Sequence, residues 1–209
     1  MVWPRSRFRL YGLRMTATAG ILLTGGRSRR LGVDKATLVL DGETLAARAA
    51  RHLAATCSPV VEAGNGVSDL PAVREAPPGA GPLAALAAAG TWLRDRGHHG
   101  SALLLAVDLP AVDEAFLGWL RDRPGEPTSV LRVGGRLQPV CARYGSDALL
   151  AAGSLVAGGV RALHEVFDVV DHDVVEADEW RVVASPDTFL DVDTPADAQR
   201  LGIRLPGLA

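Results

Sequence analysis

Several residue types are scarce in this sequence of 209 residues, and each scarcity narrows the range of functions. It has only two cysteines, Cys57 and Cys141, which lie far apart and outside any C-x-x-C spacing. They indicate a reducing compartment and no zinc site, so we expect a cytoplasmic protein in which both are apolar filler. The chain also lacks any run of about 18 apolar residues, so we expect no membrane-spanning segment and no membrane partner.

Lysine is rarer still, because Lys35 is the single lysine among 22 basic residues. An arginine-rich chain is expected to replace lysine wherever any positive charge suffices. An ammonium group is compact, whereas guanidinium is a broad planar fork, so a tight site at one phosphate oxygen can require lysine. The alternative is a lysine on a solvated loop. Asparagine also occurs once, at Asn65.

Positive charge is unevenly distributed along the chain. The net charge is −2, but residues 1–14 carry four arginines and no acid, so removing that +4 leaves −6 for the remainder. An acidic body argues against a nucleic-acid partner. We expect residues 1–18 to be a disordered basic arm or to reflect a mis-assigned start, since Met15 immediately precedes the first periodic segment. Residues 19–209 are expected to form one domain.

Strand and helix patterns alternate from residue 20 onward. Strands are predicted at 20–23, 60–63, 73–75, 101–107 and 189–192, a small extended piece at 36–40, and helices at 44–56, 82–96, 113–122, 146–152, 160–166 and 195–201. Residues 128–133 and 137–144 are predicted to form a hairpin with Pro139 at an edge or a bulge. Such alternation indicates an α/β fold with a mostly parallel, mixed sheet and helices on both faces.

Ligands of open parallel sheets bind beyond the carboxyl ends of the strands, and several candidate residues are predicted to lie there. Gly25 and Gly26 follow the first strand, where backbone N–H groups could approach phosphate oxygens, although a tight turn also explains a glycine pair. Asp108 follows the apolar strand SALLLAV. Its carboxylate suits Mg²⁺ held together with phosphate oxygens, and capping of the next turn is an equal alternative. Asp193 follows the predicted last strand.

The motif LTGGRSRRLGVDK resembles the L-A-G-G-x-S-x-R-M-G-x-D-K signature of nucleotidyltransferases that make molybdenum cofactor dinucleotides. GAGPLAALAAA, VDLP, RLQPVCARY and DVDTPADA follow in that family's order, so the resemblance covers about Ala19 to Leu201. GPLAAL and Gln138-Pro139 point to the molybdenum cofactor guanylyltransferase branch. The resemblance implies a Rossmann-like three-layer αβα sandwich of the nucleotidyltransferase type. It also implies transfer of GMP from GTP to molybdenum-molybdopterin, with release of pyrophosphate.

The resemblance also implies roles for individual residues. Lys35, assisted by Arg30, would neutralise charge on the transferring phosphate and on pyrophosphate, and Asp108 would bind Mg²⁺. The nucleotide-binding set would be Leu23, Thr24, Gly25, Gly26, Lys35, Glu75 and Asp108, and the pterin side would be Gln138, Asp191, Asp193 and Thr194. No side-chain nucleophile is required, since an acceptor phosphate oxygen attacks the α-phosphorus in line. A molybdoenzyme or its delivery chaperone is an implied further partner.

The sequence departs from that family's pattern at several positions. Thr24 and Leu31 replace the usual Ala and Met, and Glu75 replaces an Asp that contacts guanosine. Asp191 and Asp193 stand where guanylyltransferases commonly carry Asn, and ionised Asp accepts hydrogen bonds but cannot donate them. The D-x-D-T-P form also resembles related cytidylyltransferases. One alternative is therefore a cytidylyltransferase acting on molybdopterin or on another phosphorylated acceptor. A non-catalytic molybdopterin-binding delivery protein is the other.

Overall fold

The computed structural model describes residues 17–25 and 31–205, so the predicted basic arm lies outside the described residues except for its last two positions. The strands are β1 (Ala19–Leu23), β2 (Val39–Leu40), β3 (Glu43–Thr44), β4 (Val60–Ala63), β5 (Ala72–Val73), β6 (Ala102–Ala106), β7 (Ser129–Val133), β8 (Arg136–Tyr144) and β9 (Asp173–Val175). The helices are α1 (Leu45–Thr56), α2 (Pro82–Arg94), α3 (Glu114–Asp122), α4 (Ser146–Ala157), α5 (Ala177–Trp180) and α6 (Pro195–Arg200).

Seven of the described strands form one sheet in the order β5-β4-β1-β6-β8-β7-β9, and β2 pairs with β3 separately. β5, β4, β1 and β6 pair in parallel, β8 pairs antiparallel to both of its neighbours, and β9 is parallel to β7. The expected mostly parallel, mixed sheet is therefore confirmed. β1 lies near its centre, so the residues that follow it emerge at the middle of the carboxyl edge.

The central strands are buried on both faces because a layer of helices covers each face. Leu22, Leu103 and Leu105 belong to one apolar cluster, which also contains buried residues of α1 and α3. Ile21 and Leu104 point the other way, into a cluster shared with α2 and α4. Every residue of β1 and β6 is buried, which explains their continuously apolar sequences. The three-layer αβα arrangement predicted from the sequence is thus confirmed.

The prediction of a strand at 189–192 is wrong. Pro186–Phe189 forms a 3₁₀ helix, and the residues after it are not in a strand. The Phe189 ring packs edge-on against Phe116 and Trp180, with both centroid distances 5.2 Å. The apolar residues of this segment fill the core instead of joining the sheet. A short apolar run in a sequence does not distinguish between these two arrangements.

Other predicted boundaries shift. The helix predicted at 160–166 is a 3₁₀ helix at Leu163–Asp168, and the piece at 36–40 begins with a 3₁₀ turn before β2. β8 as a whole lies between β6 and β7, but its pairing with β6 ends at Cys141, so among the described strands Pro139 has no partner on the β6 side and its edge placement holds locally. The alternative of a bulge is confirmed, because the β7–β8 register shifts between Val130 and Arg132, opposite this part of β8.

A buried arginine anchors the amino edge of the sheet. Arg143 is 5% exposed and donates hydrogen bonds to the carbonyl oxygens of Arg121, Arg123, Glu126 and Pro127 and to Ser129 Oγ. These contacts fix the connection from α3 to β7, on the side of the sheet opposite the carboxyl edge. Arg143 is therefore a structural residue.

Both cysteines are buried and free, and burial raises the pKa of each thiol to about 12. They pack in the apolar cluster beneath α1 and α3, as filler. Within the described ranges, no helix combines the length and the apolar character needed to cross a membrane.

Candidate nucleotide site

The single lysine sits at the start of a short 3₁₀ turn, Lys35–Thr37, on the carboxyl side of the sheet. Asp34 caps this turn, because its Oδ1 accepts a hydrogen bond from Ala36 N at 3.0 Å and its carbonyl accepts from Thr37 N at 3.1 Å. The two residues of the Asp-Lys pair in the sequence motif therefore have different roles. Asp34 fixes the backbone, and the Lys35 side chain is left to point into the site.

Lys35 Nζ donates to two carboxylates that are distant in sequence. It lies 2.9 Å from Asp108 Oδ2 and 2.5 Å from Asp193 Oδ1. Burial lowers the pKa of the Lys35 ammonium, but the two carboxylates outweigh burial and hold that pKa above its ordinary value of 10.5. The lysine is therefore charged at neutral pH, and the alternative of a lysine on a solvated loop is wrong, because its side chain is only 15% exposed.

The two carboxylates are held together through the backbone. The Asp108 carbonyl oxygen, just beyond β6, accepts a hydrogen bond from Val192 N at 3.0 Å. This bond brings the turn that carries Asp193 to the end of the central strand. The expected proximity of Asp108 and Asp193 is thus confirmed, although the segment before Asp193 is not the strand that was predicted.

A capping box fixes the backbone on the other side of Asp193. Thr194 Oγ1 accepts from Asp197 N, while Asp197 Oδ2 accepts from the N–H groups of Asp193 and Thr194 and from the Thr194 hydroxyl. This capping box starts α6 at Pro195. The Thr194 hydroxyl therefore already forms hydrogen bonds with Asp197, which limits the hydrogen bonds that it can form with a ligand.

Asp191 is a third carboxylate near the same lysine. Burial raises the pKa of its carboxyl, and the negative charges of Asp193 and Asp108 raise it further, with Lys35 acting in the opposite direction. Three acids around one ammonium leave a local excess of negative charge. A further cation is therefore favoured at this position.

The glycine loop begins where β1 ends. Leu23 is buried in the core and its carbonyl accepts from Val107 N at 2.9 Å, so its side chain is not available to a ligand. Gly25 is exposed, and a Cβ placed on it would meet no atom of the described residues within 4 Å. Among the described residues, nothing therefore blocks the approach of a group to the backbone at Gly25. Gly26 and Arg30 lie outside the described residues.

Glu62 is a functional candidate that the sequence analysis missed. It lies on β4, is fully buried, and accepts a hydrogen bond from Thr24 Oγ1 at 2.5 Å. Thr24 therefore directs its hydroxyl into the protein, away from the open side of the loop. An isolated acid in the apolar strand VVEA was the available signal, since a buried carboxylate requires hydrogen-bonding partners.

Two predicted residues are not brought to the lysine. Glu75 lies beyond the end of β5, and its Oε1 accepts from Gly79 N at 2.8 Å within its own loop. Gln138 is half-buried on β8, in the part of the strand that continues past its last pairing with β6. Neither forms a hydrogen bond with Lys35, Asp108 or Asp193, so the expected contacts of Glu75 with a nucleotide and of Gln138 with a pterin require a ligand that extends along the carboxyl edge of the sheet.

The grouped charges suit a polyanion together with a cation. Among the described residues, no group of three or more His, Cys, Asp or Glu side chains is arranged to hold a metal ion by itself. Mg²⁺ typically uses one or two protein carboxylates and takes its remaining ligands from phosphates and water. Asp108 and Asp193, which share one cation in this structure, have the chemistry for that arrangement.

Residues 20–187 match the family model described as the MobA-like NTP transferase domain. A protein of Opitutus terrae named as a probable molybdenum cofactor guanylyltransferase is 38% identical over 180 residues, covering 82% of this chain and 86% of the relative. One of the same name from Mycobacterium avium is 32% identical over 192 residues, covering 87% and 96%. The crystal structure of molybdopterin-guanine dinucleotide biosynthesis protein A from Archaeoglobus fulgidus superposes with a TM-score of 0.73 at 20% identity, covering 88% of this chain and 96% of that one.

Proposed function

From the premise that this chain belongs to the MobA-like NTP transferase family, we propose that it transfers GMP from GTP to molybdenum-molybdopterin and releases pyrophosphate. The observation that carries this proposal is the Lys35 ammonium held between Asp108 and Asp193 at the carboxyl edge of the sheet, where the glycine loop also begins. The names of the relatives support a guanylyltransferase.

The reaction forms one bond and breaks one. A phosphate oxygen of molybdopterin attacks the α-phosphorus of GTP, and the bond from that phosphorus to the bridging oxygen of the β-phosphate breaks, so pyrophosphate leaves. The protein has to hold two anions in line and reduce their repulsion. No covalent intermediate on a side chain is needed.

Lys35 would supply the electrostatic stabilisation. Its flexible stem allows the ammonium to exchange a carboxylate oxygen for a phosphate oxygen without a large change in the backbone. In the proposed complex, the ammonium faces the negative charge that develops as pyrophosphate departs, and Arg30 assists it.

Asp108, with Asp193 beside it, would hold Mg²⁺. When bound, Mg²⁺ would act as a Lewis acid on the phosphate oxygens. The structure supports this because the two carboxylates already converge on one positive charge and Asp191 adds negative charge nearby. Asp191, Thr194 and Gln138 would line the pterin side, and Glu75 would contact the base.

A specific feature favours CTP as the second candidate. Asp191 and Asp193 give the D-x-D-T-P form, which resembles cytidylyltransferases, and ionised Asp193 cannot donate a hydrogen bond to a phosphate or pterin oxygen as Asn can. The direct test is pyrophosphate release in the presence of molybdenum-molybdopterin, Mg²⁺ and either GTP or CTP.

Faster release with GTP supports the guanylyltransferase. Release with CTP alone overturns GTP as the substrate and favours the cytidylyltransferase. If the protein binds molybdopterin but releases no pyrophosphate with either nucleotide, it acts in delivery of the cofactor and the enzymatic proposal is wrong. EDTA in a parallel reaction measures the contribution of Mg²⁺.

A further inference from the structure

The buried carboxylate of Glu62 accepts five hydrogen bonds. Besides Thr24 Oγ1, it accepts from Ser68 Oγ at 2.6 Å and from the N–H groups of Gly66, Val67 and Ser68 at 2.7, 3.0 and 2.9 Å. In the described part of the chain it forms no ion pair with a basic side chain. Neutral donors alone therefore stabilise this anion.

Those donors come from two separate loops. Thr24 directly precedes Gly25 after β1, whereas Gly66, Val67 and Ser68 follow β4. β1 and β4 are parallel neighbours, with Leu22 aligned to Glu62, so their following loops emerge side by side. Glu62 thus joins the glycine loop to the loop after β4 through a single side chain.

Gly64 makes the contact between these loops close. A Cβ on Gly64 would overlap the Thr24 hydroxyl and would lie 3.1 Å from the backbone nitrogen of Gly25. The backbone of Gly64 is not in the left-handed region, so only this overlap opposes a side chain there. The position of the Thr24 hydroxyl and the path of the loop after β4 therefore depend on each other.

We propose that Thr24 and Glu62 form a positioning pair that sets the position of the Gly25 backbone at the start of the glycine loop and thereby the affinity for the nucleotide. This inference rests on the proposed nucleotidyl transfer. Alanine, the residue usual at this place in the signature, has no hydroxyl to donate to Glu62, so the pair belongs to this chain's own version of the site. Neither side chain touches the nucleotide in this proposal, because Thr24 points inward and Glu62 is fully buried.

The test compares Thr24→Val, which keeps the volume and removes the hydroxyl, with Thr24→Ser, which keeps the hydroxyl. Ser129→Ala is the matched control, because it also removes a buried hydroxyl bonded to a charged group, Arg143, but at the opposite edge of the sheet. We expect Thr24→Val to raise the Kd for GTP·Mg²⁺, measured by calorimetry, about tenfold, which corresponds to about 1.4 kcal/mol. Thr24→Ser should bind within about twofold of wild type.

Turnover and stability separate positioning from a purely structural role. We expect Thr24→Val to raise KM for GTP with kcat nearly unchanged, whereas Ser129→Ala should lower the melting temperature comparably and leave KM unchanged. Equal KM values for wild type, Thr24→Val and Ser129→Ala would overturn the positioning role. A wild-type protein that binds no nucleotide would overturn the proposed function together with this inference, whereas binding that is insensitive to Thr24 would overturn the inference alone.

A double-mutant cycle tests the contact with Gly64 independently. Gly64→Ala should weaken GTP binding strongly when Thr24 is present, because the new methyl group displaces the hydroxyl. In the Thr24→Ala background the same substitution should weaken binding several-fold less, since the overlapping hydroxyl is gone and the contacts of 3.1 Å to Gly25 N and 3.2 Å to the Cβ of residue 24 are the ones that remain. Additive effects of the two substitutions would contradict the coupling of the two loops.

Discussion

Replacing Lys35 with Met would remove the ammonium and keep a long, unbranched side chain. Asp108 and Asp193 would then face each other without their shared cation, and Asp191 would add to the repulsion. Breaking a fully buried ion pair costs about 3–5 kcal/mol. Asp193 is 43% exposed, so water screens part of this effect, and we expect a loss of about 2 kcal/mol in the free energy of unfolding.

A loss of that size lowers the melting temperature of a chain this long by about 6 °C, which circular dichroism measures readily. The pH dependence adds a second test. The pKa of Lys35 in the folded protein is above 10.5, so its contribution to stability is complete below that pH and disappears as the pH rises through the raised pKa. The difference between wild type and Lys35→Met should therefore be constant from pH 7 to about pH 10 and should shrink above it.

Lys35→Arg is the matched control, because it keeps the positive charge but replaces the compact ammonium by a planar fork. We expect it to retain most of the stability lost in Lys35→Met. Both variants should lose turnover, Lys35→Met by about 10²- to 10³-fold in kcat, as for loss of one group that stabilises transition-state charge. Full turnover of Lys35→Arg would refute the argument that this site requires a lysine. An unchanged melting temperature of Lys35→Met would refute the role of the two ion pairs.

The remaining predictions concern single groups. Asp108→Asn should lower kcat at least about 100-fold, and raising the Mg²⁺ concentration should recover part of it; wild-type activity in the variant would exclude Asp108 as the metal ligand. GTP·Mg²⁺ should slow acylation of Lys35, the sole side-chain amine, and mass spectrometry of the labelled peptide checks this. Arg143→Met should lower the free energy of unfolding by about 3 kcal/mol through its unsatisfied carbonyl partners, without changing KM. Burial raises the pKa of Glu62, but its hydrogen bonds hold that pKa below 4.5; the melting-temperature difference between wild type and Glu62→Gln should therefore be constant near pH 6–7 and shrink as the pH falls below 4.5.

The sequence predicts the centre of the fold well because burial there leaves little ambiguity. A run such as SALLLAV between breakers fits a strand covered on both faces, and the structure places β6 there with every residue buried. The segment around Phe189 is equally apolar but serves as core packing between Phe116 and Trp180. In both cases the apolar sequence indicates burial. Whether the backbone joins the sheet depends on which strands lie beside it.

The location of the site at the carboxyl edge of the sheet can also be predicted, because burial makes the preceding strand easy to recognise. Asp108 could be placed at the carboxyl edge because the strand before it is unmistakable, whereas Asp193 was expected there on the basis of a strand that does not exist. Its actual position depends on the bond from Val192 N to the Asp108 carbonyl, a contact between residues 84 positions apart. Glu62 was missed because its partners come from two loops, which are neighbours only once β1 and β4 have paired.

The bond between Val192 and Asp108 also makes the site depend on a segment that is far from the lysine in sequence. The segment that carries Asp193 continues to Arg204, which forms a bridge with Val39 just after the lysine turn. Without this closing segment, Lys35 would face Asp108 alone. The closing segment is thus attached on both sides of the site, and loosening either attachment is expected to move Asp193 away from the lysine.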